Sequence, residues 1–184
     1  MDLELVLRAR AGDHAAFSEI AARVIGRLTT VARAILRDEY LAQDAVQDAL
    51  VDAWRDLRGL RDPERFDAWL HRILVRACHV RARREWRRDR VEITLTPSVD
   101  PPDATSRSAE SRDQIERALA RLSPEHRAAL VATYFLDLTL KDGAAALDIP
   151  LSTMKSRVRR GSELLRAVLE ADERLDPVRQ EQFA

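Results

Sequence analysis

The chain has 184 residues, 46% of them hydrophobic, with 5 Gly, 7 Pro and 1 Cys, enough to bury one sizeable core or two small ones. A single cysteine excludes an internal disulfide or a multi-cysteine zinc site, and no window approaches the roughly 20 apolar residues that cross a bilayer. Equal numbers of basic and acidic residues, 31 of each, give a formal net charge of +0, which on average speaks against a nucleic-acid ligand.

The start, MDLELVLRARAGD, lacks the basic-then-apolar order of a signal peptide, so a cytoplasmic location is expected. Abundant Ala, Leu, Arg and Glu, without sustained alternation of Val, Ile and Thr, predict an all-α protein. Asp13 is an N-cap candidate for a helix in which Phe17, Ile20, Ala21, Val24, Leu28, Val31 and Ile35 recur every three or four residues. After a break near residues 38–41, a second helix carries Val46, Leu50, Ala53, Trp54 and Leu57 on one stripe. Gly59 ends it, and Asp62-Pro63 opens a third, where a missing N–H in the first turn costs little. That helix presents Phe66, Trp69, Leu70, Ile73, Leu74 and Ala77 before turning arginine-rich. Phe66 and Trp69 read as core, although an aromatic can also stack an unpaired base. Cys78 reads as a core thiol.

The zero net charge hides a segregation. Residues 37–56 hold six acids against two bases, net −4, and residues 72–90 hold eight bases against two acids, net +6. One molecule thus offers two surfaces of opposite sign, suited to two partners. Residues 91–111, VEITLTPSVDPPDATSRSAES, break every helical pattern and read as a linker. The expected organisation is two small helical domains, 1–90 and 112–172, joined by that flexible linker, with a polar tail over 173–184.

In the second domain a helix over about 113–122 supplies Ile115, Leu119 and Leu122, and Ser123 caps a helix with Pro124 at its first position. Leu130, Tyr134 and Leu138 are expected on the apolar face of that helix. Two further helices, about 140–147 and 152–169, are separated by Asp-Ile-Pro-Leu, the pattern of a helix-turn-helix. The low bulk of Gly143, Ala144, Ala145 and Ala146 suits a close helix–helix corner, with Ala145 expected outside. At about 100° per residue, Met154, Val158, Gly161 and Leu165 fall on one side of the last helix. Ser152, Ser156, Arg159, Arg160 and Glu163 fall opposite, flanked by Lys155 and Arg157. Arg and Ser are residue types that contact guanine edges and phosphates in a major groove.

The stretch IPLSTMKSRVRRGSELLRAVL resembles the recognition helix of bacterial sigma factors of the extracytoplasmic-function class, in which Thr, an apolar residue, Lys or Arg, and Ser-Arg precede a basic run. LARLSPEHRAALVATYFLDLTLKD is similar to the family's preceding helix, LAQDAVQDALVDAWRDL to its acidic polymerase-binding helix, and RFDAWLHRILVRACHVRARREWRR to its promoter-melting helix. The resemblance spans about 150 residues in the family's order. It implies a sigma factor without catalytic residues, cofactor or metal, whose partners are core RNA polymerase, promoter DNA and an anti-sigma factor.

By the same resemblance, Asp44, Gln47, Asp48 and Asp52 would face the polymerase's largest subunit. Gly59 to Arg65 would capture a flipped base of the minus-ten element. Arg61, Arg65, Arg72, Arg76, Arg83, Arg84, Arg87 and Arg88 would hold minus-ten DNA. Ser152, Thr153, Lys155, Ser156, Arg159 and Arg160 would read the minus-thirty-five element. The chain departs from the family where Gly143 replaces Ile or Val, Asp148 replaces a corner Gly, and Arg76 and Val80 stand for Asn and Asp. Two other readings stay open. One is a free-standing dimeric helix-turn-helix regulator. The other is an enzyme in which Asp44 and Asp48 share a divalent metal, although no second acidic helix or basic diphosphate pocket accompanies them.

Overall fold

The computed structural model describes the backbone of residues 1–89 and 107–175 and the side chains of 1–84 and 114–172; among these residues the regular structure is helical throughout. Three consecutive helices each start at an aspartate whose carboxylate accepts a backbone N–H of the first turn. Asp2 caps α1 (Leu3–Arg10), Asp13 caps α2 (His14–Leu36) and Asp38 caps α3 (Glu39–Asp56). The sequence reading missed α1, whose Leu5, Val6 and Ala9 are buried. Its apolar residues are too few for the periodicity of one short helix to stand out in the sequence.

Short 3-10 turns at Leu57–Gly59 and Pro63–Arg65, the latter capped by Asp62, lead into α4 (Phe66–Asp89). Phe66, Leu70, Leu74, Val75 and Cys78 bury one side of α4 against α2 and α3. Phe66 is a core residue in ring contact with Trp69 at 5.7 Å between centroids. Burial pushes the Cys78 thiol up to about 12, as a core thiol requires.

The linker reading falls mostly outside the described residues, but its end does not: α5 (Arg107–Ala120) is already helical from Arg107, six residues ahead of the expected start. Ser123 and Pro124 open α6 (Pro124–Leu130), which widens into a π-helical turn over Val131–Phe135. That extra residue per turn rotates the chain, so Tyr134, expected on the apolar face, is 67% exposed while Leu136 and Leu138 turn inward. The helix-turn-helix is α7 (Leu140–Ala146) followed by α8 (Leu151–Leu175). α8 runs past the expected end at residue 169, and the tail from residue 176 lies outside the described residues.

The corner explains two departures. A Cβ at Gly143 would stand 2.6 Å from Met154 Cε and 3.9 Å from Ala132 Cβ, so the missing side chain on α7 is the space that methionine of α8 fills. Ala144 and Ala146 are buried and Ala145 is exposed, as the low-bulk reading expects. Asp148 sits at φ 53, the left-handed region that Gly, Asn and Asp tolerate best, which is why a corner glycine and this aspartate are interchangeable there.

The two halves touch. α4 packs on α7 and α2 on α6. Arg127 is 5% exposed and spends its guanidinium on backbone carbonyls, Nε donating to Ile35 O at 2.7 Å and Nη1 to Leu122 O at 3.1 Å. Arg37, the left-handed C-cap of α2, donates reciprocally to Ala120 O at the end of α5, at 2.7 Å. Each half thus places a cation on a helix C-terminus of the other, where orphan carbonyls and the dipole favour it.

Gly143→Ile should destabilise the protein by about 1–3 kcal/mol through overpacking, and adding Met154→Ala should recover most of the loss. Urea denaturation of the two variants measures both effects.

Candidate nucleic-acid and polymerase interface

The acidic surface belongs to α3. Asp44, Asp48 and Asp52 recur at intervals of four and point away from its buried stripe of Ala42, Ala45, Val46, Ala49 and Ala53. Asp44, Gln47 and Asp52 are exposed and Asp48 is half-buried. The face is not bare. Arg81 of α4 reaches it, its Nε and Nη2 donating to Asp48 Oδ2 at 2.8 and 2.6 Å and its Nη1 to Asp44 Oδ2 at 2.6 Å. The hydrogen bond to Asp48 leads the causes that raise the Arg81 guanidinium above its ordinary value. Beside the acids runs an open groove of about 770 Å³ between α2 and α3, lined by Phe17, Ile25, Val46, Gln47, Leu50 and Trp54. Trp54 is held there by Phe17 and His14, at ring centroid distances of 5.0 and 4.4 Å.

The basic surface divides by helical rotation. Arg72, Arg76 and Arg83 share one face of α4 at spacings of four and seven. Arg76, Arg83 and Arg84 are exposed, and Arg61 and Arg65 are exposed on the turns before α4. The side chains of Arg87 and Arg88 lie outside the described residues. Arg72 is engaged elsewhere: its Nη1 donates to Asp142 Oδ1 of α7 at 2.8 Å, and Arg65 adds its field at the same carboxylate. The hydroxyl of Thr139 leads in holding the Asp142 carboxyl below its ordinary value, against a desolvation cost, and Arg72 adds to it.

On α8, Ser152, Lys155, Ser156, Arg159 and Arg160 form one exposed face, while Thr153 is half-buried and its carbonyl accepts the Ser156 hydroxyl. Arg159 and Arg160 share Glu163, at 3.4 and 3.2 Å. Such exposed pairs contribute little stability and exchange readily for phosphates. Met154, Val158 and Gly161 are buried beneath that face, with Leu165 half-buried beside them. A Cβ at Gly161 would stand 3.1 Å from Leu130, so α8 lies close on α6. No group of three or more His, Cys, Asp or Glu able to hold a metal ion occurs among the described residues, and none of their helices is long and apolar enough to cross a membrane.

Sequence reasoning grouped Arg81 with the phosphate-holding arginines of α4, whereas it is spent on the α3 carboxylates, and it did not find the groove. The signal for Arg81 was present: Leu70, Leu74, Cys78 and Arg81 continue one stripe at spacings of four, four and three, so Arg81 faces the rest of the bundle rather than solvent. The groove had a weaker signal in Ile25 and Val51, apolar residues left exposed on α2 and α3.

Comparison with known proteins agrees in order and extent. Residues 20–88 match the Sigma-70 region 2 family and residues 112–165 the Sigma-70 region 4 family. The chain is 34% identical over 168 residues to the ECF RNA polymerase sigma factor SigM of Mycobacterium tuberculosis, covering 91% of this chain and 84% of that protein. Among solved structures it resembles CnrH in complex with the cytosolic domain of CnrY, with a TM-score of 0.60, 27% identity, and 93% and 98% of the two chains covered. It shares its fold with the sigma factor RpoE bound to the anti-sigma factor NepR from Bartonella quintana, with a TM-score of 0.64, 24% identity, and 85% and 98% of the chains covered.

Two histidines make the joint between the halves sensitive to acid. Burial, then the field of Arg27, lowers His71, whose Nε2 has no hydrogen-bond partner among the described residues; burial, then Arg83 and Arg157, lowers His79. Because both folded values lie below the unfolded one of about 6.5, the unfolded chain binds more protons, and stability falls as pH drops through that value. Thermal melts should therefore show a lower transition at pH 5.5 than at 7.5, with the difference reduced in His71→Leu.

Proposed function

The chain belongs to the extracytoplasmic-function sigma factors of bacterial RNA polymerase, and from that premise we propose which of its surfaces perform promoter-directed initiation. As a sigma factor it binds core RNA polymerase and directs transcription from specific promoters. Residues 1–90 are assigned to polymerase binding and minus-ten melting, 91–111 to the linker, whose last residues already belong to α5, and 112–172 to the minus-thirty-five element. The free-standing repressor reading loses its ground, because the N-terminal half matches a sigma region rather than a dimerising module.

In the proposed mechanism Asp44, Gln47, Asp48 and Asp52 dock on a basic polymerase surface, with the α2–α3 groove taking up apolar side chains beside them. Arg61, Arg65, Arg76, Arg83 and Arg84 then hold the minus-ten strands by their phosphates, and their number makes binding fall steeply with salt. Ser152, Lys155, Ser156, Arg159 and Arg160 enter the major groove of the minus-thirty-five element, Arg for guanine edges and phosphates, Ser and Lys for phosphates. None of these roles involves bond chemistry by the chain, and none needs a cofactor. The work takes place where the polymerase is, in the cytoplasm, and an anti-sigma factor that covers these surfaces is the partner that would withhold them.

The observation that carries the reading is the opposition of an acidic α3 and a basic α4 in one half with a basic recognition helix in the other. The same geometry sets a requirement. Elements named minus ten and minus thirty-five are about 25 base pairs apart, roughly 85 Å of duplex at 3.4 Å per pair, yet here Arg72 and Asp142 of the two halves are 2.8 Å apart. The halves must separate before both elements are read, and the linker then converts two modest affinities into one strong one. Separation frees Arg72 for the minus-ten phosphates.

Transcription from a promoter library with purified core polymerase tests the assignment. Asp48→Arg should abolish core binding and all promoter use; intact core binding would remove the acidic face from the mechanism. Arg160→Ala should cost roughly 1–3 kcal/mol on the cognate minus-thirty-five site alone if Arg160 reads a base, and less on every sequence if it touches only phosphate.

A further inference from the structure

Arg81 lies within a run of arginines that invites a single explanation, contact with DNA, but its position does not serve that purpose. It continues the inward stripe of α4 beyond Cys78, while Arg72, Arg76 and Arg83 occupy another face. Its side chain is 23% exposed, against 53% for Asp44 and 46% for Asp48. All three of its hydrogen bonds among the described residues end on carboxylates of α3.

The pattern of oxygens is informative. Both carboxylates meet Arg81 through Oδ2 alone, and Oδ1 of each has no hydrogen-bond partner among the described residues. A planar guanidinium presents its donors as a rigid fork, which a lysine ammonium cannot reproduce. One Arg therefore fixes two side chains a helical turn apart and leaves each with one oxygen and half its surface outward.

We propose that Arg81 is a positioning residue for core polymerase, holding Asp44 and Asp48 in the conformation in which their free Oδ1 atoms accept cationic side chains of the polymerase. The role rests on the assignment of Asp44 and Asp48 to the polymerase-facing surface. Arg81 pre-orders two side chains that would otherwise lose rotamer freedom on docking. It also lowers the negative charge of the face, so its two effects on affinity have opposite signs. Removing a positive charge from an acidic surface that meets a basic partner strengthens attraction if charge alone matters. Removing the fork weakens binding if positioning dominates, which the proposal requires.

The test measures affinity of the full chain for core RNA polymerase across a salt series, with thermal melts of each variant alongside. Arg81→Met should weaken core binding by roughly three- to tenfold, the entropy of re-ordering the freed side chains, and Arg81→Lys should fall between Met and wild type. In an Asp44→Asn, Asp48→Asn background, Arg81→Met should change core affinity no further. Affinity that is unchanged or tighter in Arg81→Met overturns the proposal, the tighter value showing that Arg81 only screens the acids. Normal core affinity with lost promoter binding by the holoenzyme overturns it too and makes Arg81 a DNA contact. A merely structural role would lower the melting temperature of Arg81→Met and Arg81→Lys without grading core affinity between them at temperatures where all are folded. Failure of the underlying assignment has a separate sign: Asp48→Arg would then leave core binding intact.

Discussion

Burial of the Phe66, Leu70, Leu74 and Cys78 stripe against α2 and α3 fixes the rotation of α4, and that rotation decides what each arginine of the helix can touch. At about 100° per residue, Arg81 falls in line with the buried stripe and meets the α3 carboxylates, whereas Arg76 and Arg83 turn outward. Arg72, one turn before Arg76, meets α7. A helix that reads as a uniform basic run is thus three separate devices. If the stripe were repacked so that α4 rotated by one residue, the Arg81 link to α3, the Arg72 link to α7 and the exposed face of Arg76 and Arg83 would all be lost together.

The joint itself has a mixed chemistry that suits temporary contact. Arg127 is buried without an ion-paired carboxylate among the described residues, and burial together with the nearby Arg37 lowers its guanidinium to about 10 against the field of Glu125, the charge being held by carbonyls at helix ends. Hydrogen bonds from a charged donor to such carbonyls are worth more than neutral ones, but carbonyls left in water on separation are readily hydrated. Arg72 and Asp142 are likewise groups that water accepts on release. A buried hydrophobic cluster that includes residues of both halves adds adhesion. Contacts of this kind hold the two halves together in the free chain and suit the separation proposed above.

Much of this was legible in the sequence. The caps at Asp13 and Ser123, the Pro124 start, the helix-turn-helix and the exposed face of Ser152, Ser156, Arg159 and Arg160 follow from local rules, because capping and 3.6-residue periodicity are properties of one helix at a time. Tyr134 escaped those rules because the π-helical turn shifts phase in mid-segment, and periodicity presumes constant phase. Gly143 stood only as a departure from the family until Met154 supplied its volume, since matched bulk across two helices is a pairwise property. Arg81 and the Arg72–Asp142 pair escaped for the same reason: a charge run on one helix does not state which of its members another helix will claim. The wide separation in sequence of Arg127 and Ile35, and of Arg37 and Ala120, put the joint out of reach of any local reading.

The central claim is that one chain presents a polymerase face and two DNA faces whose joint use requires its halves to part. The most direct measurement is the distance between spin labels on Glu4→Cys and Glu116→Cys, exposed positions outside every assigned surface, with the buried Cys78 too inaccessible to compete for label. The account predicts a single short distance in the free chain and a lengthening by tens of ångströms when core polymerase and a cognate promoter are added. A distance unchanged in a transcriptionally competent promoter complex would contradict it.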